Sequence, residues 1–212
     1  MSKLNDLWKA FSRVIVTNSI RLYCKIVYRY KVIGKENIPK SGSLIFCGNH
    51  TSYLDGPLII ITSPRFMRFM AKQELRKSLL FRYLCYAYNA IYVKRDSKDI
   101  GPLKEALKEL KSGGCIGIFP EGTRSKSGKL GQFYSAGFRR LEETVRLPVA
   151  VCAVDGGWRL SDVKRIMANL KKGAYYVKVL KVYDAPLNRE EEKKILEEAP
   201  ILIQKQLDEW RS

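Results

Sequence analysis

Histidine is almost absent from this chain. His50 is the only one, so any chemistry that needs an imidazole must use it. Cysteines stand at 24, 47, 85, 115 and 152, an odd count at long spacings with no C-x-x-C. One histidine and such spacings argue against a Cys/His zinc site. The pattern reads as free, partly buried thiols in a reducing compartment.

Long hydrophobic runs are missing as well. No apolar stretch approaches the ~18–20 residues that span a bilayer, and residues 58–61 are representative of what occurs. Near the N-terminus Lys9, Arg13, Arg21 and Lys25 interrupt every apolar run, which argues against a secretory signal. The expectation is a cytosolic protein that attaches to a surface.

Acidic residues are outnumbered: 39 Lys+Arg against 21 Asp+Glu gives a net charge of +18. An excess of that size implies an anionic partner, whether nucleic acid, an anionic membrane, a phosphorylated substrate or an acidic protein. The length, 212 residues with a hydrophobic fraction of 46%, fits one sizeable domain with an appendage, or two small ones.

Two common active-site motifs are also lacking. A P-loop needs G-x-x-x-x-G-K-[ST], but Gly122 and Gly128 are one residue too far apart and Leu130 follows Lys129. A nucleophile elbow needs G-x-S-x-G, and Phe133 stands where the first glycine before Ser135 should be. Without an elbow serine, the nucleophile is expected to come from the substrate.

What is present is an alternation of strands and helices. Residues 3–28 read as one amphipathic helix, with Leu4, Leu7, Trp8, Phe11, Val14, Ile15, Leu22, Ile26 and Val27 at helical spacing. Lys9, Arg13, Thr17, Arg21 and Lys25 stand four apart and form a polar stripe. That is the pattern of an interfacial membrane helix, and equally of a helix packed on a domain with a solvated charged face. With the basic excess, the membrane reading predicts that Trp8 and Phe11 enter the interface while Arg13 and Arg21 meet headgroups.

Residues 30–42 form a strand and a turn-rich link, with the domain boundary just before them. This divides the chain into an amphipathic segment, 1–29, and a second domain, 30–212. Within the latter, strands are expected at 43–50, 65–71, 90–95, 115–120, 148–154 and 175–184. Helices are expected between them, one of them running to about Val145. Asn188 with Glu191 is a helix cap, and Pro200 is expected to interrupt or kink the helices that follow. Such alternation predicts an α/β fold, a mostly parallel central sheet flanked by helices and preceded by the amphipathic segment. Sites in such sheets form beyond the carboxyl ends of strands. Both "NHTSYLD" (49–55) and "FPEGTRS" (119–125) lie there.

Imidazole suits general-base work near neutral pH, and a carboxylate on its other nitrogen fixes the tautomer. A tight strand-to-helix turn can bring His50 and Asp55 together. On the pair alone, a loop cap explains these residues better. The second segment reads as an anion cradle. Gly122 allows close backbone approach, Thr123 and Ser125 offer hydroxyls, and Arg124 offers a planar fork suited to phosphate. A base beside a phosphate cradle suggests group transfer onto a phosphorylated alcohol.

N-H-x-x-x-x-D followed about seventy residues later by F-P-E-G-T-R-S resembles the glycerolipid acyltransferases, most closely the 1-acyl-sn-glycerol-3-phosphate acyltransferases. The resemblance runs from about residue 30 to 155. "FMAKQEL" places Lys72 where that family carries a lysine, and "AIYVKRD" resembles its second block and places Arg95. Two departures bear on acyl and acceptor preference. Pro148 is kept, but Val151 replaces the second proline of the fourth block, and the basic "FKKG" reads "FYSAG".

The resemblance implies that His50, supported by Asp55, deprotonates the free hydroxyl of lysophosphatidic acid for attack on acyl-CoA or acyl-carrier protein. It assigns Arg124, Lys72 and Arg95 to the acceptor phosphate, with Gly122 and Thr123 in the same cradle. Glu121 is expected to contact the glycerol hydroxyl or orient Arg124. No metal or redox cofactor is implied. The expected location is peripheral, on the cytoplasmic side of an anionic membrane, without nucleic acid. Other acceptors, glycerol 3-phosphate or a different lysolipid, stay open. So does a non-catalytic basic protein that binds membrane or nucleic acid.

Overall fold

The computed structural model describes residues 3–27, 29–94, 99–125, 127–134, 141, 145–160 and 174–212. Its centre is a seven-stranded sheet of order β1-β7-β6-β2-β5-β3-β4. The strands are β1 (Arg29–Ile33), β2 (Leu44–Gly48), β3 (Arg68–Lys72), β4 (Ile91–Val93), β5 (Cys115–Ile118), β6 (Val149–Asp155) and β7 (Ala174–Tyr183). All neighbouring pairs are parallel except β6 with β7. The helices are α1 (Lys3–Val27), α2 (Asp55–Thr62), α3 (Leu79–Ala87), α4 (Gly101–Lys111) and α5 (Arg189–Arg211).

The central strands are apolar along their whole length because both faces are covered. In β6, Ala150, Cys152 and Val154 face the layer that holds α2 and α1, with Leu58, Ile59 and Val16. Val149, Val151 and Ala153 face the other layer, with Leu110 of α4 and Ile203 and Leu207 of α5. A period of two within a continuous apolar run thus feeds two cores.

Local signals account for several boundaries. Gln73–Lys77 forms a 3-10 turn, and Ser78 ends it by accepting from the Phe81 amide to cap α3. The helical connection between β3 and β4 is therefore two pieces. Asn188 Oδ1 accepts from the Glu190 and Glu191 amides, and Glu191 returns a carboxylate to the Leu187 amide. Pro200 does not break the helix that follows: α5 is continuous from Arg189 to Arg211. Ile195, Ala199, Ile203 and Leu207 form an unbroken buried stripe on it. The packing of that stripe outweighs one missing backbone hydrogen bond. Most of the helix expected to run to Val145 lies outside the described residues.

The amphipathic segment is a helix whose apolar face is exposed, as the membrane reading expects, but its arginines are not placed for headgroups. Arg13 and Arg21 do not point away from the domain. Arg13 Nε donates to the Ala87 carbonyl at 3.2 Å, with its guanidinium 3.6 Å from the Phe66 ring centroid. Arg21 Nη2 donates to the Ile61 carbonyl at 3.0 Å. Ala87 ends α3 and Ile61 lies in the last turn of α2, where carbonyls lack helical partners and the dipole is negative. The guanidinium groups satisfy those carbonyls, so Arg13 and Arg21 flank a docking face whose buried residues are Ser12, Val16 and Cys24. Lys9 joins it by donating to Asn89 Oδ1, and Thr17 pairs with the Tyr88 hydroxyl. Leu4, Leu7, Trp8, Phe11, Val14, Ile15, Leu22 and Ile26 are left 45–73% exposed.

Candidate active site

β2 and β5 are adjacent and parallel, so the segments that leave their carboxyl ends meet. The Ser125 amide donates to the His50 carbonyl at 2.8 Å. Asn49 anchors the first segment to β6 through paired bonds with the Val154 backbone, 2.8 and 2.7 Å. The chain then turns sharply, and Asp55 is the first residue of α2.

That turn brings His50 Nδ1 to 2.8 Å from Asp55 Oδ2. The carboxylate is fully buried, while the imidazole is 20% exposed. Oδ2 also accepts from the Thr51 and Ser52 amides at 2.5 and 2.7 Å. Oδ1 accepts from Thr51 Oγ1 at 3.2 Å and from the Tyr175 hydroxyl at 2.6 Å. With Nδ1 committed, Nε2 is the nitrogen free to exchange a proton. Phe119 stacks on the imidazole at 4.2 Å and 7°, and Phe69 stacks on Phe119 at 5.1 Å, which fixes the ring plane. Gly157 leaves room for the carboxylate: a Cβ there would stand 2.8 Å from Asp55 Oδ1 and 2.5 Å from Thr51 Oγ1.

His50 borders a cavity of about 400 Å³. Much of its lining is apolar, with Ile60, Phe69, Leu84, Tyr88, Ile118 and Leu141 among its residues. Its polar residues include Lys72, Gly122, Thr123 and Arg124. The fold therefore brings together His50, Asp55, Lys72, Gly122, Thr123 and Arg124 from segments far apart in sequence. Arg95 lies outside the described residues.

Glu121 departs from expectation. Its carboxylate faces neither the cavity nor Arg124. Oε1 accepts from the His50 amide at 2.6 Å and Oε2 from the Gly131 amide at 2.7 Å, and the residue is buried. Burial pushes its carboxyl above the ordinary glutamate value, and the two backbone donors hold it back. Two orphan N–H groups in the loops needed a buried acceptor, and Glu121 supplies one oxygen to each. Arg124 rests instead on the face of Tyr53.

Sequence reasoning assigned no role to Tyr175, Asn49, Tyr53, Phe119 or Gly157. Asn49, Tyr53 and Phe119 lay inside quoted motifs. Tyr175 carried no signal, since it reads as one apolar position on an alternating strand 120 residues from Asp55.

The cysteines offer no competing nucleophile. Burial pushes the thiols of Cys47 and Cys115 up to about 12 and that of Cys24 to about 11. Cys85, which lines the cavity, is also raised by burial. A thiol is nucleophilic as the thiolate, so these groups are poorly suited to carry an acyl group near neutral pH. Among the described residues there is no cluster of three or more His, Cys, Asp or Glu suited to a metal.

A family model described as Acyltransferase matches residues 29–155. The chain is 32% identical over 125 residues to a 1-acyl-sn-glycerol-3-phosphate acyltransferase of Borreliella burgdorferi, covering 58% of this chain and 44% of that one. It is 28% identical over 191 residues to a probable enzyme of the same name from Mycoplasma pneumoniae, covering 84% and 68%. The crystal structure of the 1-acyl-sn-glycerophosphate acyltransferase of Thermotoga maritima superposes with a TM-score of 0.74 at 25% identity, covering all of this chain and 85% of that one. The present chain thus spans less than half the length of the Borreliella relative.

Proposed function

The chain belongs to the acyltransferase family, and we propose that it moves a fatty acyl group from a thioester to the free sn-2 hydroxyl of 1-acyl-glycerol 3-phosphate, giving phosphatidic acid. The observation that carries this reading is the His50–Asp55 pair, 2.8 Å apart, at the edge of a cavity that joins an apolar wall to Arg124 and Lys72. That combination fits a substrate with a phosphate and acyl chains.

In this mechanism His50 Nε2 takes the proton of the acceptor hydroxyl as its oxygen attacks the thioester carbonyl. Asp55 stabilises the imidazolium that forms. The tetrahedral intermediate collapses, the C–S bond breaks, and the imidazolium returns its proton to the leaving thiolate. One ester replaces one thioester, so the exchange is redox-neutral and draws on no cofactor. Arg124 and Lys72 hold the acceptor phosphate, beside Gly122 and Thr123. The leaving thiol is that of coenzyme A or of an acyl-carrier protein, whose acidic surface would suit the +18 charge.

We assign residues 1–29 to membrane docking and 30–212 to catalysis, at the cytoplasmic face of an anionic bilayer. Among the described residues no helix is long and apolar enough to cross a membrane. The outward apolar face of α1 supports attachment from one side. Leu79, Leu80 and Tyr83 of α3 are exposed too, beside exposed Arg76, Lys77 and Arg82. The opposite side of α3 lines the cavity with Phe81, Leu84 and Cys85. An acceptor leaving the bilayer at α3 would enter beside Arg124.

The test is a panel of donors and acceptors with purified protein and vesicles. Acyl-CoA and acyl-carrier protein are each paired with lysophosphatidic acid, glycerol 3-phosphate and a neutral lysolipid, and thiol release is followed. The expected result is release that depends on lysophosphatidic acid and falls by ~10²–10⁴-fold in His50→Ala. Preference for glycerol 3-phosphate would refute the acceptor. Release that survives in well-folded His50→Ala would refute the mechanism.

A further inference from the structure

Tyr175 lies on β7, beyond the segment that matches the acyltransferase family. Its side chain is buried against the dyad, and its hydroxyl donates to Asp55 Oδ1 at 2.6 Å. The two oxygens of Asp55 are loaded differently. Oδ2 faces His50 and takes two backbone amides, whereas Oδ1 has the Tyr175 hydroxyl and a longer bond from Thr51 Oγ1. Tyr175 is thus the short donor on the side away from the imidazole.

We propose that Tyr175 is a positioning residue of the dyad, a neutral donor that orients the Asp55 carboxylate and tempers its basicity toward His50. Two consequences follow. The carboxylate is fully buried with hydrogen bonds on both oxygens, and a firm bond to Oδ1 helps keep Oδ2 aimed at Nδ1. A donor on a carboxylate also withdraws negative charge from it. With that donor present, Asp55 stabilises the imidazolium less than a bare buried carboxylate would. The imidazolium formed during the reaction then returns its proton to the thiolate more readily.

The phenol is suited to this role because it does not ionise. Burial and the neighbouring Asp55 hold it well above the ordinary tyrosine range. Other groups face the carboxylate as well. Glu121 from the loop after β5 and the Cys152 thiol of β6 both interact electrostatically with Asp55, and Tyr30 of β1 stacks on Tyr175 at 6.3 Å. All remain in place when only the phenol oxygen is removed, so they cancel in the comparison.

His50 is the sole histidine, so an imidazole NMR titration reads it without assignment and without substrate. In Tyr175→Phe the titration is expected to move up relative to the wild type, because the carboxylate facing the imidazole regains negative charge. The acidic limb of kcat/KM should move with it, and kcat should fall about 3- to 10-fold with acceptor KM nearly constant. Tyr175→3-fluorotyrosine keeps the ring, strengthens the donor, and should move the titration down; it decides the matter if Tyr175→Phe melts below the assay temperature. In an Asp55→Asn background Tyr175→Phe should add no further loss of kcat. A titration unmoved by either variant, or a loss of kcat that persists in Asp55→Asn, overturns the proposal. The kinetic arm rests on the acyl-transfer reading; the titration does not, so failure of one is distinguishable from failure of the other.

Discussion

The guanidinium carbon of Arg124 lies 3.3 Å from the ring centroid of Tyr53. Tyr53 is an interior residue of the segment that carries the dyad, and its ring packs on Phe81 of α3 at 4.8 Å. The cation assigned to the acceptor phosphate is therefore held over an aromatic face. Stacking occupies the guanidinium plane's face and leaves its edge N–H groups for a phosphate.

Arg124→Lys should consequently raise the acceptor KM more than it lowers kcat, because an ammonium can neither fork onto phosphate nor stack in the same way. Tyr53→Leu should raise the same KM by a smaller factor, about 2- to 30-fold, the range of one cation–π contact. Steady-state kinetics with lysophosphatidic acid measure both. Unchanged KM in Arg124→Lys would remove Arg124 from the acceptor site.

Glu121→Gln separates a structural carboxylate from an acceptor contact. A glutamine offers one acceptor where the His50 and Gly131 amides each use one. One buried N–H is left unpaired, at a cost of about 1–3 kcal/mol. The expected result is a lower melting temperature and lower kcat, with acceptor KM little changed. The pH dependence has a definite sign. Burial raises the carboxyl of Glu121, so its contribution to stability is fully present below the unfolded pKa and is lost as pH climbs through the folded one. The wild type's stability advantage over Glu121→Gln should therefore be largest in acid and narrow through that window. An advantage that widens with rising pH would show the carboxyl to be depressed instead.

These two residues show where sequence reasoning reaches and where it stops. The dyad and the Arg124 loop were legible because both are local motifs at strand ends, and parallel pairing of β2 with β5 places such ends on one edge. The role of Glu121 was not legible, because its charge suggests a polar ligand while its partners are backbone amides that only the folded loops present. Tyr175 was hidden for a related reason. An inward strand position does not reveal that a distant carboxylate waits for it. For α1, periodicity gave the two faces correctly but not which one turns inward. That choice depended on Ala87 and Ile61 carbonyls at helix ends, which the spacing of lysines and arginines cannot disclose.

The orientation of α1 changes what membrane binding should look like. Each basic residue at an anionic surface adds on the order of 1 kcal/mol and is screened by salt. Arg13 and Arg21 are engaged with the domain, so their share of that term is reduced. The outward apolar face carries eight large residues, Trp8 and Phe11 among them, stacked at 5.5 Å. Full burial of one such side chain is worth about 1.5–3 kcal/mol, so insertion of several adds a large part that salt does not screen. We expect vesicle sedimentation to persist at high salt, and Trp8→Ser with Phe11→Ser to weaken it at low and high salt alike. The double variant should lose more activity on bilayer lipid than on dispersed acceptor. Arg13→Gln and Arg21→Gln should act differently. They leave helix-end carbonyls without their cation, so they should lower the melting temperature while vesicle binding changes little. Binding that vanishes at high salt, or that survives deletion of residues 1–28 in a folded protein, would move the docking surface away from α1.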